Sequence, residues 1–209
     1  MKLTTASFRN GGPIPDRYAL TIPHPDAHVT FSENVNPELS WDEVPGGTRS
    51  FAIICHDSDV PSRADDVNQE GREVPADLPR VEFFHWVTVE LPPELRSIAE
   101  GEFCQGVMPH GKNVALGPRG CRQGLNDFTG WFAGDPDMAG RFFGYDGPAP
   151  PWNDSILHHY TFTLYALDIE EVPVVGEFTG QQVRDAIEGH ALAEASVMGT
   201  YTQNPRLRS

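Results

Sequence analysis

The sequence predicts a mostly β protein with few helices, and three segments carry that prediction. "SFAIICHD" (50–57) is a continuous apolar run with β-branched residues, which is typical of a buried strand. "FFHWVTVEL" (83–91) is aromatic and β-branched and stops at two prolines, as strands often do. "YTFTLYALD" (160–168) alternates aromatic or apolar residues with threonine. A sandwich or a barrel fits this pattern.

Three shorter segments predict further strands. "HVTFS" (28–32) and "ELSWDEV" (38–44) precede the first long strand, and "ASVMGTYT" (195–202) is a weaker candidate near the end of the chain. Each has the β-branched and aromatic content that strands favour. The span 91–98 is predicted to hold a short turn of helix.

One longer helix is predicted late in the chain. Thr179 is a suitable N-cap, "GQQVRDAIEG" (180–189) follows it, and Gly189 supplies the stop. No internal repeat and no low-complexity segment interrupts the sequence, so residues 1–209 are predicted to form a single domain.

Two segments between these elements are irregular. Residues 101–151 hold eleven of the twenty glycines, and long irregular segments often serve as binding loops or lids. A cover over one sheet face, or a subunit contact, would explain the aromatic residues of this segment equally well. Residues 62–82 are polar and are expected to form an exposed loop. The aromatic residues of the first segment are Phe128, Trp131, Phe132, Phe142 and Phe143.

The net charge of −15 limits the classes of partner. Nucleic-acid binding relies on Lys and Arg that neutralise phosphates, so nucleic acids are excluded. Anionic membrane surfaces are disfavoured for the same reason. The chain has no run of about 18 apolar residues, and its opening "MKLTTASFRNGGPIPD" lacks the apolar core of a signal peptide. We therefore expect no stable membrane insertion and a cytoplasmic location.

The three cysteines are too widely spaced for a zinc knuckle. Their odd number argues against a disulfide framework. Cys55 lies inside a predicted strand and is most simply a small buried residue. The sequence leaves the state of Cys104 and Cys121 open.

Ionisable groups collect where the predicted strands begin or end. Asp57 and Asp59 lie at the end of the first long strand, His85 lies within the second, and His158 and Tyr160 open the third. Plainer interpretations exist for each. An Asp-x-Asp pair at a strand exit often forms a hydrogen-bonded turn, and a lone histidine among aromatic residues is often a satisfied, half-buried side chain. Adjacent histidines point to opposite faces of a strand, or form a solvated loop pair.

A proline-rich loop precedes the two adjacent histidines. Pro148, Pro150 and Pro151 fix φ and remove three N–H donors, so the loop is stiff without internal hydrogen bonds. Gly147 permits close approach or positive φ. A stiff wall beside an imidazole and a phenol suits a small anion, and nearby carboxylates can accept hydrogen bonds from the ligand.

Four motifs occur in a fixed order along the chain. "NPELSWDEVPGGTRSFAIICHDSD" (36–59) leads into "DSDVP" (57–61), which is followed by "HW" (85–86). "GPAPPWNDSILHHYTFTLYALD" (147–168) and "GHALAEASVMGTYTQ" (189–203) come next. Together they resemble the phosphatidylethanolamine-binding protein family, in its prokaryotic, Raf-kinase-inhibitor-like branch.

The resemblance implies a fold and a site. The implied fold has a large central antiparallel sheet, a smaller second sheet and a few peripheral helices. The implied site is a small anion pocket without cofactor or metal, in which Asp59 acts as structural support. Members of the family are associated with phosphate or phospholipid headgroups and with inhibition of kinases or serine proteases. The implied ligand-binding residues are Asp57, Asp59, His85, Gly147, Pro148, Pro150, His158 and Tyr160.

Three features depart from the family pattern. Ser58 replaces the first proline of the first motif, which leaves that turn less constrained. His159 replaces an arginine, so a permanent cation is lost. Residues 62–82 and 127–144 are longer than the compact prokaryotic pattern. The last two departures put the selectivity of the pocket, and any kinase-binding interface, in question.

These observations favour a non-catalytic binding or regulatory protein that takes a small anion such as phosphate. A kinase or a protease is the candidate protein target, and a homodimer through residues 101–144 is a further candidate. The alternative is a metal-dependent enzyme in which Asp57, His85 and His158 form a two-His-one-carboxylate site. A hydrolase with Asp57 or Asp59 and His85 is less favoured, because no nucleophile elbow is present. An anion held by imidazoles should bind more weakly above pH ~6.5.

Overall fold

Within residues 1–208, which the computed structural model describes, the chain forms ten strands and two α-helices. Two short 3-10 helices, Asp16–Tyr18 and Pro118–Gly120, lie between them. The strands are β1 (Lys2–Thr4), β2 (Thr21–His24), β3 (His28–Phe31), β4 (Leu39–Asp42), β5 (Ser50–Pro61), β6 (Arg80–Leu91), β7 (Ser97–Ile98), β8 (Arg122–Gln123), β9 (His158–Leu167) and β10 (Ala191–Tyr201), and the helices are α1 (Phe128–Trp131) and α2 (Gly180–Ile187).

The central sheet has five strands in the order β10-β9-β5-β6-β8, and all its pairs are antiparallel. The mostly β prediction, with a central antiparallel sheet, is therefore confirmed. The two predicted strands 50–57 and 83–91 are longer than expected at one end. β5 continues to Pro61 and β6 begins at Arg80, because the two strands stay paired beyond the apolar runs. This shared extension carries polar residues to one rim of the sheet.

Two smaller sheets complete the strand pairing. One has the order β1-β4-β7, and the other is the hairpin of β2 and β3. The prediction of a helical turn over 91–98 is wrong. The Leu95 N–H bonds the Pro92 carbonyl in a tight turn, and β7 then pairs with β4. Pairing with β4 buries Ile98 completely, and this tertiary burial outweighs local helix preference.

Apolar side chains cover both faces of the central sheet. On one face Phe51 and Phe162 form a cluster with Trp41 of the three-stranded sheet β1-β4-β7. On the other face the cluster includes Val87 and Val183, which belongs to α2. The Thr179 hydroxyl accepts a bond from the Gln182 N–H while the Gln182 side chain accepts one from the Thr179 N–H, as the predicted start of this helix requires. Gly189 follows with φ of +81°.

The two irregular segments are largely packed. Residues 101–151 contribute Phe128, Met138 and Phe142 to a third apolar cluster. Cys55, Cys104 and Cys121 are all buried free thiols. The expectation of an exposed loop over 62–82 holds only in part, because Val67 and Val74 are buried within it. None of the helices in residues 1–208 has the length and apolar content needed to cross a bilayer.

Candidate functional site

A cavity of about 60 Å³ opens at the rim where β5, β6 and β9 lie side by side. A single water needs about 10–15 Å³ by the same measure, so this cavity holds a group of several heavy atoms. Four predicted residues line it at its polar end, and Pro150 and Pro151 form one wall. The four polar residues are Asp57, His85, His158 and Tyr160.

The strand register explains how these side chains meet. Asp57 lies directly opposite Tyr160 on the neighbouring strand. Cys55 pairs with Trp86, and His56 pairs with Phe84, so His85 is an extra residue on its strand. Such a bulge re-aims a side chain locally and is common beside functional sites.

His158 lies between two carboxylates and is completely buried. Its Nδ1–H donates to Asp57 Oδ2 at 2.7 Å, and its Nε2–H donates to Asp154 Oδ2 at 3.1 Å. Burial by itself lowers the pKa of His158, but the Asp57 charge and the bonds to both carboxylates outweigh it and raise the pKa to about 9. His158 is therefore an imidazolium at neutral pH, with both protons already donated within the protein.

The carboxylates respond to the same cation. Burial raises the pKa of Asp57, but the charge of His158 and its hydrogen bond together lower it by more. The pKa of Asp57 therefore lies below its usual value. Asp154 shows the same balance, with help from Arg80, and its pKa is also lowered. Both carboxylates are therefore ionised at neutral pH.

Arg80 completes this buried chain of charges. Its Nη1 and Nη2 donate to the two oxygens of Asp154 at 2.6 and 3.0 Å, a bidentate pair. The same guanidinium donates to the backbone carbonyls of Asp59 and Pro75. Neither Arg80 nor Asp154 was predicted from the sequence. The motif 147–168 contains Asp154 without marking it, and Arg80 lies near the end of the polar segment 62–82, where no motif marks it.

His85 has the opposite protonation tendency from His158. Its Nδ1–H donates to the Asp146 carbonyl at 2.9 Å, which fixes the tautomer and leaves a lone pair on Nε2. Burial lowers the pKa of His85 and outweighs the raising effect of Asp57. The ring lies among three aromatic rings, with centroid distances of 5.0 Å to Phe83, 5.3 Å to Phe128 and 5.1 Å to Tyr160.

Asp146, which fixes His85 through its carbonyl, is itself held by three side chains. Its carboxylate accepts bonds of 2.8 Å from Asn34, from Asn126 and from Lys112. Asp146 is almost completely buried. Burial lowers the pKa of Lys112, but the Asp146 charge, together with the charge of Cys104 and the hydrogen bonds to both side chains, outweighs it and raises the pKa. The neutral imidazole of His85 therefore rests on a rigid polar network.

The proline loop has a structural part and a lining part. Gly147 and Pro148, both predicted as site residues, do not line the cavity. The Gly147 N–H donates to Asn34 Oδ1, and the Pro148 carbonyl accepts from the Leu20 N–H. A Cβ on Gly147 would lie 2.0 Å from a backbone oxygen. These two residues anchor the loop, whose next residues form the wall.

Ala149 contributes the single N–H of the run 148–151, because the other three residues are prolines. Ala149 lines the cavity. Its N–H has no acceptor among residues 1–208. Among Pro148–Pro151, Ala149 is therefore the one residue that carries a backbone donor, and that donor is left without a partner in the described part of the chain.

Asp59 lies beside the cavity rather than in its lining. Its carboxylate accepts from the His159 N–H and from Nδ1 of the same residue, both at 2.8 Å. The Asp59 N–H donates to Asp57 Oδ1 at 2.8 Å. The turn bond at this strand exit is thus accepted by Asp57, and Asp59 supports the site by holding His159 on the outer face of β9.

The Tyr160 hydroxyl is buried and has no hydrogen-bond acceptor within 3.5 Å and suitable geometry among the described residues. Burial, and then the nearby negative charge of Asp57, raise the pKa of Tyr160 well above its usual value. Tyr160 is therefore a neutral phenol in this site.

The donor set does not favour a metal ion. Both nitrogens of His158 bond carboxylates, and Nδ1 of His85 bonds a carbonyl. Among residues 1–208 no group of three His, Cys, Asp or Glu side chains is arranged to hold a metal. A two-His-one-carboxylate site would first have to displace the His158 proton.

Comparison with known proteins gives one consistent result. The family model described as phosphatidylethanolamine-binding protein matches residues 4–202. The UPF0098 protein YbhB of Escherichia coli is 31% identical over 97% of this chain and 100% of its own length. A UPF0098 protein of Methanothermobacter thermautotrophicus is 32% identical over 96% of this chain and 98% of its own.

Solved structures share the fold. The crystal structure of Escherichia coli YbcL matches with a TM-score of 0.66 at 24% identity, over 96% of this chain and 97% of that chain. The homolog CT736 of Chlamydia trachomatis matches with a TM-score of 0.61 at 28% identity, over 96% and 95%. With these matches over nearly its whole length, the chain belongs to the phosphatidylethanolamine-binding protein family.

Proposed function

We propose that the cavity binds a small phosphoryl-type anion and that the protein is a non-catalytic binding module. The observation that carries the proposal is a pair of hydrogen-bonding groups without partners, which belong to residues that line the cavity. Nε2 of His85 and the N–H of Ala149 have no hydrogen-bond partner among the described residues, and both residues line the cavity. A bound anion whose oxygen accepts a hydrogen bond from the Ala149 N–H would therefore share the cavity with the His85 ring.

The protonation state of the guest follows from the surrounding charges. Asp57 is ionised and the protons of His158 are already committed, so this pair offers no free cation. A phosphoryl group that carries one proton can donate it to an acceptor such as Nε2 of His85. A fully ionised guest needs the same nitrogen to take up a proton from water. Binding of a fully ionised anion is therefore coupled to proton uptake at His85.

The same side chains argue for binding rather than catalysis. Burial raises the pKa of the Cys55 thiol and of the Tyr160 phenol well above their usual values, so neither is an activated nucleophile. The metal-dependent alternative meets the donor-set difficulty described above. Elemental analysis of the purified protein, followed by titration with Zn²⁺ and Fe²⁺, tests it. A stoichiometric metal that His85→Ala removes would contradict the proposal.

The partners of the protein are part of the proposal and rest on family membership. We propose a kinase or a protease as the protein target, and the acidic charge of −15 opposes nucleic acid. The cytoplasmic location and the candidate homodimer also stay predictions. Size-exclusion chromatography with light scattering tests the dimer.

Calorimetric titration with inorganic phosphate tests the proposed function. His85→Ala should weaken phosphate binding at least about tenfold, the loss expected when a charge-assisted hydrogen bond is removed. His190→Ala is the matched control, because His190 is a partly exposed histidine that pairs with Asp168 on the surface. Phosphate affinity that is the same in both variants and in the unmodified protein would show that the site is placed wrongly.

A further inference from the structure

Two segments that the sequence predicts to be longer than the family pattern contribute to the cavity lining, mostly with exposed residues. Ala64, Val67 and Asn68 come from residues 62–82, and Trp131 comes from residues 127–144; all four line the cavity. We refer to these four residues as the collar. Two segments that are distant in sequence thus contribute to the lining of one pocket.

Side-chain and backbone hydrogen bonds hold the collar in place. The Asn68 N–H donates to Asn153 Oδ1 at 2.9 Å, and the Trp152 N–H donates to Asn68 Oδ1 at 3.1 Å. Asn153 Nδ2 also donates to the Asp66 carbonyl at 2.8 Å. Since Arg80 fixes the far end of the same segment through Asp154, the width of the cavity is set before a ligand enters.

The collar differs from the inner end of the cavity in chemistry. The charged and titratable lining residues are Asp57, His85, His158 and Tyr160, and all four are almost completely buried, so we call them the inner end of the cavity. No collar side chain is ionisable. The remaining apolar lining comes from Val60, Pro61, Phe83, Phe128, Ala149, Pro150 and Pro151. A ligand that places its oxygens at the inner end therefore places its substituent against apolar side chains.

The size of the cavity limits that substituent. At about 60 Å³ the cavity has space for a phosphoryl group and a short chain. A phosphodiester that carries two acyl chains on a glycerol is too large to lie within a cavity of this volume. An ammonium group in the place of a methyl group would lose its hydration against the collar, whose four side chains carry no charge to offset that cost.

We propose that the collar is a specificity element that selects a phosphomonoester with a compact apolar substituent. This inference rests on the proposed function and names the ligand class of that site. Val67 and Trp131 contact the substituent, while the inner end binds the oxygens. Trp131 is half exposed, and Val67 is 8% exposed, so the collar reaches from the cavity wall to the protein surface.

An isosteric ligand series tests the inference by calorimetry. Propyl phosphate and phosphoethanolamine have the same number of heavy atoms and differ in a methyl and an ammonium group. Propyl phosphate should bind about threefold to tenfold more tightly than inorganic phosphate, from burial of its chain. Phosphoethanolamine should bind more weakly than propyl phosphate. Vesicles that contain phosphatidylethanolamine should retain no protein in a sedimentation assay.

Two collar variants identify the residues responsible. Val67→Ala and Trp131→Ala should each remove most of the advantage of propyl phosphate, while inorganic phosphate affinity stays within about twofold. Val175→Ala is the matched control, because Val175 is 93% exposed and does not line the cavity. Trp131→Ala changes a half-exposed side chain and should fold even if Val67→Ala does not.

The outcomes separate the two proposals. If inorganic phosphate does not bind the unmodified protein, the proposed function fails. If inorganic phosphate binds but propyl phosphate gains nothing over it, the collar inference fails alone. It also fails if phosphoethanolamine binds more tightly than propyl phosphate, if vesicles retain the protein, or if both collar variants leave the preference intact.

Discussion

Nδ1 of His158 lies 2.7 Å from Oδ2 of Asp57, and this ion pair belongs to the scaffold of the pocket. The sequence suggested that His158 would donate hydrogen bonds to a bound anion. In the structure its second proton goes to Asp154. His158 therefore organises two carboxylates, and His85 is the histidine with a free nitrogen on the cavity wall.

We expect the free energy of unfolding to fall as the pH rises from about 6.5 to about 9. The folded-state pKa of His158 is about 9, and an unfolded histidine titrates near about 6.5. The stabilising contribution of His158 is therefore complete below the lower value and is lost as the pH rises through the upper one. The loss should be on the order of 3 kcal/mol, measured by chemical denaturation across this range.

His158→Gln provides the comparison, because it keeps a polar side chain and removes the titration. The difference in unfolding free energy between the two proteins should shrink as the pH approaches about 9. The two carboxylates affect stability at acid pH, because the pKa of Asp57 and of Asp154 is lowered in the folded protein. Their contribution to the free energy of unfolding is present above about pH 4 and is lost as the pH falls. A pH-independent difference would contradict the buried imidazolium.

Arg80→Met should destabilise the protein by about 3 kcal/mol, because it leaves the buried Asp154 carboxylate without its bidentate partner. The side chain of Arg80 is 12% exposed and that of Asp154 is 1% exposed. Arg49→Met is the matched control, since Arg49 pairs with Glu170 at an exposed site and its loss should change stability by less than about 1 kcal/mol. Equal effects of both variants in urea denaturation would show that burial does not strengthen the Arg80 pair.

Anion affinity should fall as the pH rises between about 5.5 and 8.5, because binding favours a proton on His85 while burial holds its free pKa low. Phosphate itself changes charge in this range, so sulfate, which does not, is the second ligand. Calorimetry in buffers of different ionisation enthalpy reports the proton taken up with each. A sulfate affinity that is flat with pH, without proton uptake, contradicts the coupling to His85.

Gly147→Ala should weaken phosphate binding and lower stability by roughly 1–3 kcal/mol, the usual effect of overpacking. The added methyl group would lie 2.0 Å from the Tyr18 carbonyl oxygen, so the loop backbone must shift. Gly46→Ala is the control, because a Cβ there meets nothing within 4 Å. If Gly147→Ala binds phosphate as the unmodified protein does, the loop position does not control the pocket.

The long strands could be predicted from the sequence because their apolar content reflects burial on both faces. β10 gave a weaker signal, since its first half is small and exposed and only its second half is buried. The turn after β6 was predicted wrongly, because the pairing of Ser97–Ile98 with β4 is a long-range contact that no local pattern contains.

The meeting of the motif residues at one cavity was predictable to a similar extent. The polar residues that the motifs contain, such as Asp57 and His85, do line one cavity. The role of Arg80 was not predictable, because it depends on how the polar segment 62–82 folds back onto the chain around Asp154. The bond between His158 and Asp154 spans only four residues, but no motif marks Asp154 as its partner.

The pocket joins parts of the chain that are far apart in sequence, and this affects when it can form. His158 and Asp57 are 101 residues apart, Asp154 and Arg80 are 74 apart, and Asn34 and Asp146 are 112 apart. Such distant contacts close late, after most of the polypeptide is organised. A nascent chain that still lacks β9 has neither His158 nor Tyr160, so ligand capture is a property that this protein acquires only in the final stages of folding.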